Sequence, residues 1–297
     1  MYTEIAENVF FVEGENQGRY PYSNSLLLDD QIKVLIDTGL GPERIRQVDR
    51  DFSIDLILIS HGHEDHIAGN ILFPKALIGV HHLDAPAICR VDRLVELMGA
   101  EGTALEELTY SFLEDLFALK DSRADRLFDG GEQLFLGIHE LTVIHTPGHS
   151  AGHCSFHLPL AGVIFLADVD LSSFGPFYGY LDSDINQFLS SIDHLETLNF
   201  DIAVTSHKPV FNGRQNVLMK LEQYRAKIFE RENKLLEFLE AERTLDEIVA
   251  RAIIYGTFPE PKALFELMEK NMIIKHLERL SASDRISVTN RGFKINC

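Results

Sequence analysis

Four side chains of the types that bind metal ions lie within six consecutive residues: His61, His63, Asp65 and His66. Neutral imidazoles and carboxylates are ligands of borderline cations such as Zn²⁺. In a tight loop the alternate residues His61 and His63 can converge on one ion, and Asp65 and His66 can then face a second one. The spacing therefore predicts a segment that holds two metal ions.

Three further candidate ligands each follow a short apolar run that predicts a β-strand, and they are His149, Asp168 and His207. A carboxylate such as Asp168 can bridge two ions. Two ions that share a water lower its pKa from about 15.7 toward 7, which gives hydroxide at neutral pH. We expect this hydroxide to attack an electrophilic carbon or phosphorus, with Asp65 as the catalytic group that orients it and takes its proton.

Apolar runs in the first 60 residues predict the strands that position this segment, at residues 9–12, 25–28, 34–37 and 55–60. The last run is almost wholly apolar, which is typical of a strand covered on both faces. It ends immediately before His61, and α/β folds usually place their chemistry at the carboxyl ends of strands. Residues 91–119 change to helical spacing, and Thr103 with Glu106 predicts a capping box at the second helix of this insertion.

The C-terminal part of the chain has the order helix, helix, helix and hairpin. A long amphipathic helix is predicted at about 217–241, and Thr244 with Glu247 predicts a capping box that begins a second helix. A third helix is predicted after Pro261, and alternation at 285–295 predicts a hairpin. This is the element order of a winged-helix module.

We predict a catalytic domain at residues 1–216 and a small winged-helix-like domain at residues 217–297. The net charge of −19 lies before Leu221, because residues from Leu221 onward carry 13 basic and 13 acidic side chains. An acidic surface argues against long nucleic-acid substrates. The sequence shows no signal peptide and no apolar stretch near the roughly 20 residues that cross a bilayer, so we expect a cytoplasmic protein without membrane contact.

These motifs resemble those of the metallo-β-lactamase fold superfamily over about residues 5–215. The resemblance implies an α/β fold, an αββα sandwich with the site at one edge of its two sheets. It assigns His61, His63 and His149 to a first metal ion, Asp65, His66 and His207 to a second, and Asp168 to the bridge. Asp37, in Asp37-Thr38-Gly39, matches an aspartate that orients the ligands by hydrogen bonding without binding metal.

Within this superfamily the sequence favours a hydrolase of a small-molecule thioester, ester or lactone, similar to glyoxalase II. The implied cofactors are two divalent ions, Zn²⁺ first, with Mn and Fe as alternatives. Two other functions stay open. An endoribonuclease or phosphodiesterase could use the same two ions, since the C-terminal module is similar to that of a branch that includes an enzyme acting on single-stranded RNA. A persulfide dioxygenase-like oxidoreductase would use one iron, held by two His and one Asp.

Further predictions concern the residues around the metal ions and the role of the C-terminal module. Phe177, Tyr178 and Tyr180, in a loop after Asp168, are expected to contact the substrate, and either tyrosine could donate to an oxyanion. Glu64 is expected to point away from the metal ions. The C-terminal module lacks a positive surface, so packing or homodimer formation is a better interpretation than DNA binding.

Three histidines outside the ligand set complete the predictions. His153 is a candidate for an outer position near the metal ions, where it would support a ligand. His81 and His82 follow an apolar run and are expected to have a structural role.

Overall fold

The computed structural model describes residues 2–296. Its larger sheet has seven strands in chain order: β1 (Tyr2–Ala6), β2 (Val9–Val12), β3 (Ser25–Asp29), β4 (Lys33–Ile36), β5 (Leu56–Ile59), β6 (Leu77–His81) and β7 (Arg126–Phe128). Strands β1 to β4 pair antiparallel, whereas β4 to β7 pair parallel. Parallel pairing gathers the carboxyl ends of β4, β5 and β6 at one edge of the sheet.

The smaller sheet has six strands: β8 (Gln133–Phe135), β9 (Glu140–His145), β10 (Cys154–Leu158), β11 (Val163–Phe165), β12 (Ile202–Val204) and β13 (Phe211–Asn212). Their spatial order is β13-β12-β11-β10-β9-β8. Only the β11–β12 pair is parallel among the pairings of the described strands in this sheet. The carboxyl ends of β9, β11 and β12 therefore lie at the same edge.

The two sheets pack face to face because side chains alternate along each strand. Leu56 and Leu58 of β5 lie in the core between the sheets, which Phe156 of β10 also enters. Ile57 and Ile59 point the other way, into the core under the helices. β5 is thus buried on both faces, as its apolar run predicted.

Helices cover the outer face of each sheet. The larger sheet is covered by α1 (Pro42–Phe52), α2 (Glu64–Ile67), α3 (Ala85–Cys89), α4 (Val91–Leu97) and α5 (Glu106–Phe117), and the smaller by α6 (Ile185–Thr197) and α7 (Arg214–Phe238). Short 3-10 turns lie at Glu15–Gly18 and Asn70–Leu72. The αββα sandwich predicted from the sequence is confirmed.

The helical insertion at 91–119 contains α4 and α5, but its predicted capping box is wrong. α5 begins only at Glu106, and its N-cap, Leu105, makes no side-chain capping bond. Thr103 instead accepts a hydrogen bond from the backbone N–H of Leu105, and Glu106 accepts one from Gly102. The two side chains therefore stabilise the turn before the helix.

The C-terminal elements follow the predicted order: α7, α8 (Leu245–Ala250), α9 (Lys262–Ala282), β14 (Ile286–Val288) and β15 (Phe293–Ile295). The capping box of Thr244 and Glu247 at α8 is confirmed. α9 packs on three cores, with Met268 under the larger sheet, Met272 beside the smaller one and Ile273 in the C-terminal core. Among residues 2–296, no helix combines the length and the apolar character that crossing a membrane requires.

Arg231 of α7 links the loop that follows β11 to the C-terminal helices through hydrogen bonds. Its side chain is 5% exposed and donates to Tyr178 Oη at 2.8 Å and to the carbonyl of Phe174 at 2.6 Å. The guanidinium also stacks on the rings of Phe174 and Tyr178. Removing it would leave several buried acceptors without a partner.

Replacing Arg231 with methionine is expected to lower the free energy of unfolding by about 2–3 kcal/mol, because hydrogen bonds from a buried charged donor are lost. Urea denaturation followed by circular dichroism measures this change. Arg225→Met is the control, since Arg225 makes more exposed ion pairs with Asp193 and Glu196. Its loss should stay under about 1 kcal/mol, and equal losses in both variants would contradict the role of Arg231.

Candidate metal centre

All seven predicted ligands converge at one edge of the sandwich. β5 ends at Ile59 and leads into His61, while Asp65 and His66 lie on the single turn of α2. His149, Asp168 and His207 follow β9, β11 and β12 of the other sheet. The edge where the parallel strands end therefore carries the whole set.

Backbone conformation turns two of these residues toward the site. Gly148 has a φ of +130°, and a Cβ at this position would lie 2.3 Å from the backbone nitrogen of Phe188. Only glycine fits there without displacing α6, so the Pro147-Gly148 turn directs His149 inward. Ala167 adopts a left-handed conformation (φ 49°) directly before Asp168.

The ligand atoms form two adjoining triads. In His61, His63 and His149, and again in Asp65, His66 and His207, they all lie within 4.8 Å of one another. The Nε2 atoms of His61 and His149 are 3.0 Å apart, and His207 Nε2 lies 3.3 Å from Asp65 Oδ2. These separations allow each triad to surround one ion.

Asp168 lies between the triads. Its Oδ2 is 3.3 Å from His149 Nε2, and its Oδ1 is 3.2 Å from His66 Nε2 and 3.4 Å from His207 Nε2. One carboxylate oxygen thus faces each group of imidazoles. This is the placement expected of a bridging ligand.

The residues fit divalent cations. Three buried atoms, His63 Nε2, His66 Nε2 and Asp168 Oδ1, make no well-aligned hydrogen bond among the described residues, although the last two lie 3.2 Å apart. Such atoms are costly to leave unpaired. Burial, together with the nearby imidazoles of His66 and His63, holds the pKa of His61 well below its usual range. Neutral imidazole is the form that binds metal.

Hydrogen bonds on the opposite ring nitrogens fix the orientation of the histidines. His66 Nδ1 lies 2.8 Å from Asp37 Oδ2, and Asp37 also accepts from the backbone and side chain of Ser60 at 2.7 Å. His149 Nδ1 donates to the carbonyl of Phe177, and His207 Nδ1 to that of Gly18. Each Nε2 is left free to face the site, and Asp37 occupies the supporting position predicted for it.

His153 also supports the site without joining a triad. Its Nε2 accepts from the backbone N–H of Asp168 at 3.2 Å, and its Nδ1 lies 3.0 Å from the carbonyl of Thr146. The side chain is fully buried beside His61 and His149. It positions the backbone that carries Asp168.

Asp84, which the sequence does not reveal as part of the site, is a buried carboxylate that joins two of the ligand loops. It accepts hydrogen bonds from the backbone of Gly62 at 2.9 Å, the backbone of Gly152 at 2.6 Å and the hydroxyl of Ser150 at 2.6 Å. Burial raises its pKa to about 6, whereas the three donors favour the ionised carboxylate. Nothing near Asp84 in sequence marks it, because its partners are distant along the chain.

Replacing Asp84 with asparagine is expected to weaken metal affinity by about 10–100-fold, because an amide would present a donor to groups that donate. Competition with a chromophoric chelator measures this affinity. Asp30→Asn is the matched control, since Asp30 accepts backbone hydrogen bonds from Ile138 and His139 outside the site. If Asp84→Asn bound metal as tightly as Asp30→Asn, the supporting role would be excluded.

A cavity of about 390 Å³ opens over the two triads. Phe177 and Tyr180, two of the three predicted substrate contacts, line it. The prediction for Tyr178 is corrected: this residue is fully buried away from the cavity, and its hydroxyl contacts His276 Nε2 and Arg231. Sequence alone could not separate neighbouring aromatic residues that point to opposite sides of the loop.

Glu64 lies outside both triads but lines the cavity. Its carboxylate accepts from the hydroxyls of Tyr20 at 2.8 Å and Tyr180 at 2.6 Å. The hydroxyl of Tyr180 is therefore already engaged. Glu64 joins the metal segment to two aromatic walls of the cavity.

The fold and the two triads define a class of protein, and sequence comparison names it. The family model described as "Metallo-beta-lactamase superfamily" matches residues 19–207. The chain belongs to the metallo-β-lactamase superfamily.

Two solved structures resemble the chain over nearly its whole length. A metallo-beta-lactamase family protein from Thermus thermophilus has a TM-score of 0.73 and 21% identity, covering 99% of this chain and 100% of that one. A beta-lactamase domain protein from Burkholderia ambifaria has a TM-score of 0.78 and 18% identity, covering 99% and 94%. At this identity they establish the fold, including the C-terminal elements.

Curated relatives match over shorter stretches. The lactamase-like protein aptB of Emericella nidulans is 27% identical over 75% of this chain and 63% of its own length. Human acyl-coenzyme A thioesterase MBLAC2 is 28% identical over 46% and 53%. The hydroxyacylglutathione hydrolase of Erythrobacter litoralis is 28% identical over 55% and 52%. The matches span about half to two thirds of these relatives.

Proposed function

We propose that this protein is a two-metal hydrolase that cleaves small acyl thioesters, with esters and lactones as related substrates. The observation that carries the proposal is the cavity, which has ligand candidates at its base and apolar side chains along its walls. Two of the curated relatives, a thioesterase and a hydroxyacylglutathione hydrolase, carry names that agree with it.

The walls of the cavity suit an acyl chain. They come from two sides, with Met98 directly after α4, Phe112 from α5, and Leu264, Phe265 and Met268 from α9. Burying one methylene group contributes about 0.8 kcal/mol. An acyl group would therefore bind between the insertion and the C-terminal module, with its carbonyl directed toward the triads.

The cavity also holds two cationic side chains, Arg19 and Lys208. They lie among carboxylates in a chain of net charge −19. Local positive charge of this kind would attract an anionic group on the thiol part of a substrate. The substrate we propose is thus apolar on its acyl side and negatively charged on its leaving group.

The chemistry follows from the donor set. His61, His63 and His149 would hold one divalent ion, and Asp65, His66 and His207 a second, with Asp168 shared; Zn²⁺ is the proposed metal, and Mn or Fe are alternatives. Bound together, two such ions acidify water and polarise a carbonyl. Asp65 would orient the attacking water and accept its proton at a carboxylate oxygen.

The other two functions fit the site less well. A phosphodiesterase or endoribonuclease acting on single-stranded RNA would bring a polyanion to an acidic chain and an aromatic cavity. A persulfide dioxygenase-like enzyme needs a single iron, whereas here both triads are complete. Each alternative has a substrate that a screen can include.

The test is a hydrolysis screen with acyl thioesters, lactones, phosphodiesters and a single-stranded RNA, comparing wild type with Asp65→Asn. We expect thioesters to be cleaved fastest and the variant to lose at least about 100-fold in rate. If only RNA or phosphodiesters were cleaved, the substrate class would be phosphodiesters and not thioesters. Equal rates for the two proteins on every substrate would overturn the mechanism.

A further inference from the structure

A second group of histidines lies outside the candidate centre, where the ends of three strands meet. β6 ends at His81, next to His82, Asp129 directly follows β7, and β9 ends at His145. These residues line a separate open cavity of about 510 Å³, which His194 of α6 also borders. The group shares no residue with the two triads. Because β9 belongs to the other sheet, it joins both layers of the sandwich.

The side chains are close enough to share an ion. One ligand atom from each of His81, His82 and Asp129 lies within 4.8 Å of the others. His82 Nδ1 is already 2.6 Å from Asp129 Oδ1. The ring of His81 stacks on that of His145, with centroids 4.2 Å apart, and on that of His82 at 4.6 Å.

A modest movement would complete a metal site. Zn–N distances of about 2.0–2.1 Å place tetrahedral ligands roughly 3.4 Å apart. His82 and Asp129 have side chains that are 50% and 78% exposed, so both can rotate inward. His81 is only 2% exposed and provides a fixed point at the end of β6.

The charge of the group favours a cation. Burial, followed by the neighbouring imidazoles of His145 and His82, lowers the pKa of His81 to about 4. His81 is therefore neutral at physiological pH and has a lone pair to offer. The nearby carboxylate of Asp129 and the net charge of −19 both attract cations to this surface.

We propose that His81, His82 and Asp129, with His145 beside them, form a further site for one borderline divalent ion such as Zn²⁺. This revises the purely structural role expected of His81 and His82. Two imidazoles and one carboxylate suit this class of ion, with water or His145 as the fourth ligand.

The site is connected to the candidate centre through the backbone. His81 and Asp84 belong to the same turn, and Asp84 holds the loops of Gly62 and Gly152. His145 Nε2 donates to the carbonyl of Ala151, two residues beyond His149. An ion at His81 would therefore stabilise the turn that supports both ligand loops.

The test counts Zn²⁺ bound per chain after equilibrium dialysis, using protein without a histidine tag. Wild type is compared with His82→Ala and Asp129→Asn, which are both at exposed positions. His157→Ala is the matched control, since this half-buried histidine of β10 lies outside both groups. The decisive quantity is the difference between proteins, so the result does not depend on the proposed hydrolysis.

We expect wild type and His157→Ala to bind one more Zn²⁺ per chain than His82→Ala or Asp129→Asn. Equal zinc content in all four proteins would overturn the proposal. A loss of zinc in His157→Ala as well would overturn it too, because binding would then not be specific to this group.

Discussion

Asp168→Asn is expected to fold normally and to lose at least about 100-fold in kcat/KM for an acyl thioester. The amide keeps the shape of the side chain but removes the charge that faces His66, His149 and His207. No other carboxylate among the described residues contacts imidazoles of both triads. The substitution should therefore disrupt both ion sites together.

The measurement is steady-state thiol release with metal content determined on the same samples. Asp170→Asn is the control, because Asp170 also lines the cavity but belongs to neither triad. It accepts from the backbone of Ser172, and its loss should cost less than about 10-fold. If Asp168→Asn kept the same activity and metal content as Asp170→Asn, Asp168 would not be a bridging ligand.

The second large effect concerns the acyl chain. If the apolar wall binds it, kcat/KM of the wild type should rise by up to roughly fourfold per added methylene until the cavity is full. Phe265→Glu places a carboxylate on this wall, at a half-buried position of α9. We expect it to lower kcat/KM for long acyl chains by at least about 10-fold and for acetyl thioesters by less than about threefold.

A series of thioesters with one leaving group and increasing acyl length measures this selectivity. Phe229→Glu is the matched control, since Phe229 is exposed on α7 and does not line the cavity. If kcat/KM of the wild type did not change with acyl length, the C-terminal module would not bind the acyl chain. Equal losses for short and long chains in Phe265→Glu would have the same consequence.

The sequence predicted the features that depend on short segments. His61, Asp168 and His207 have side chains that bind metal and each follows a predicted strand. These two observations were enough to predict that the three residues lie close together. The capping box at Thr244 was also correct, because it depends on two side chains three residues apart. The similar pattern at Thr103 was wrong, since the turn before α5 already used both side chains.

The features that the sequence did not predict depend on contacts between distant parts of the chain. Asp84 reaches groups 22 to 68 positions away, and Tyr20 meets Glu64 across 44 positions. The direction in which Tyr178 points depends on Arg231, 53 positions later. Periodicity reports which face of an element is apolar, but not which partner will cover a particular polar atom.

The most direct test titrates metal-free His82→Ala protein, which lacks the further site, with Zn²⁺ and records the rate of acyl-thioester hydrolysis at each addition. We expect no turnover in the metal-free protein and a rate that reaches its maximum when two equivalents are bound. In the proposed mechanism two ions are required, because Asp65, which belongs to the second triad, would orient the attacking water. Hydrolysis by the metal-free protein, or a full rate with one equivalent, would contradict a two-metal mechanism.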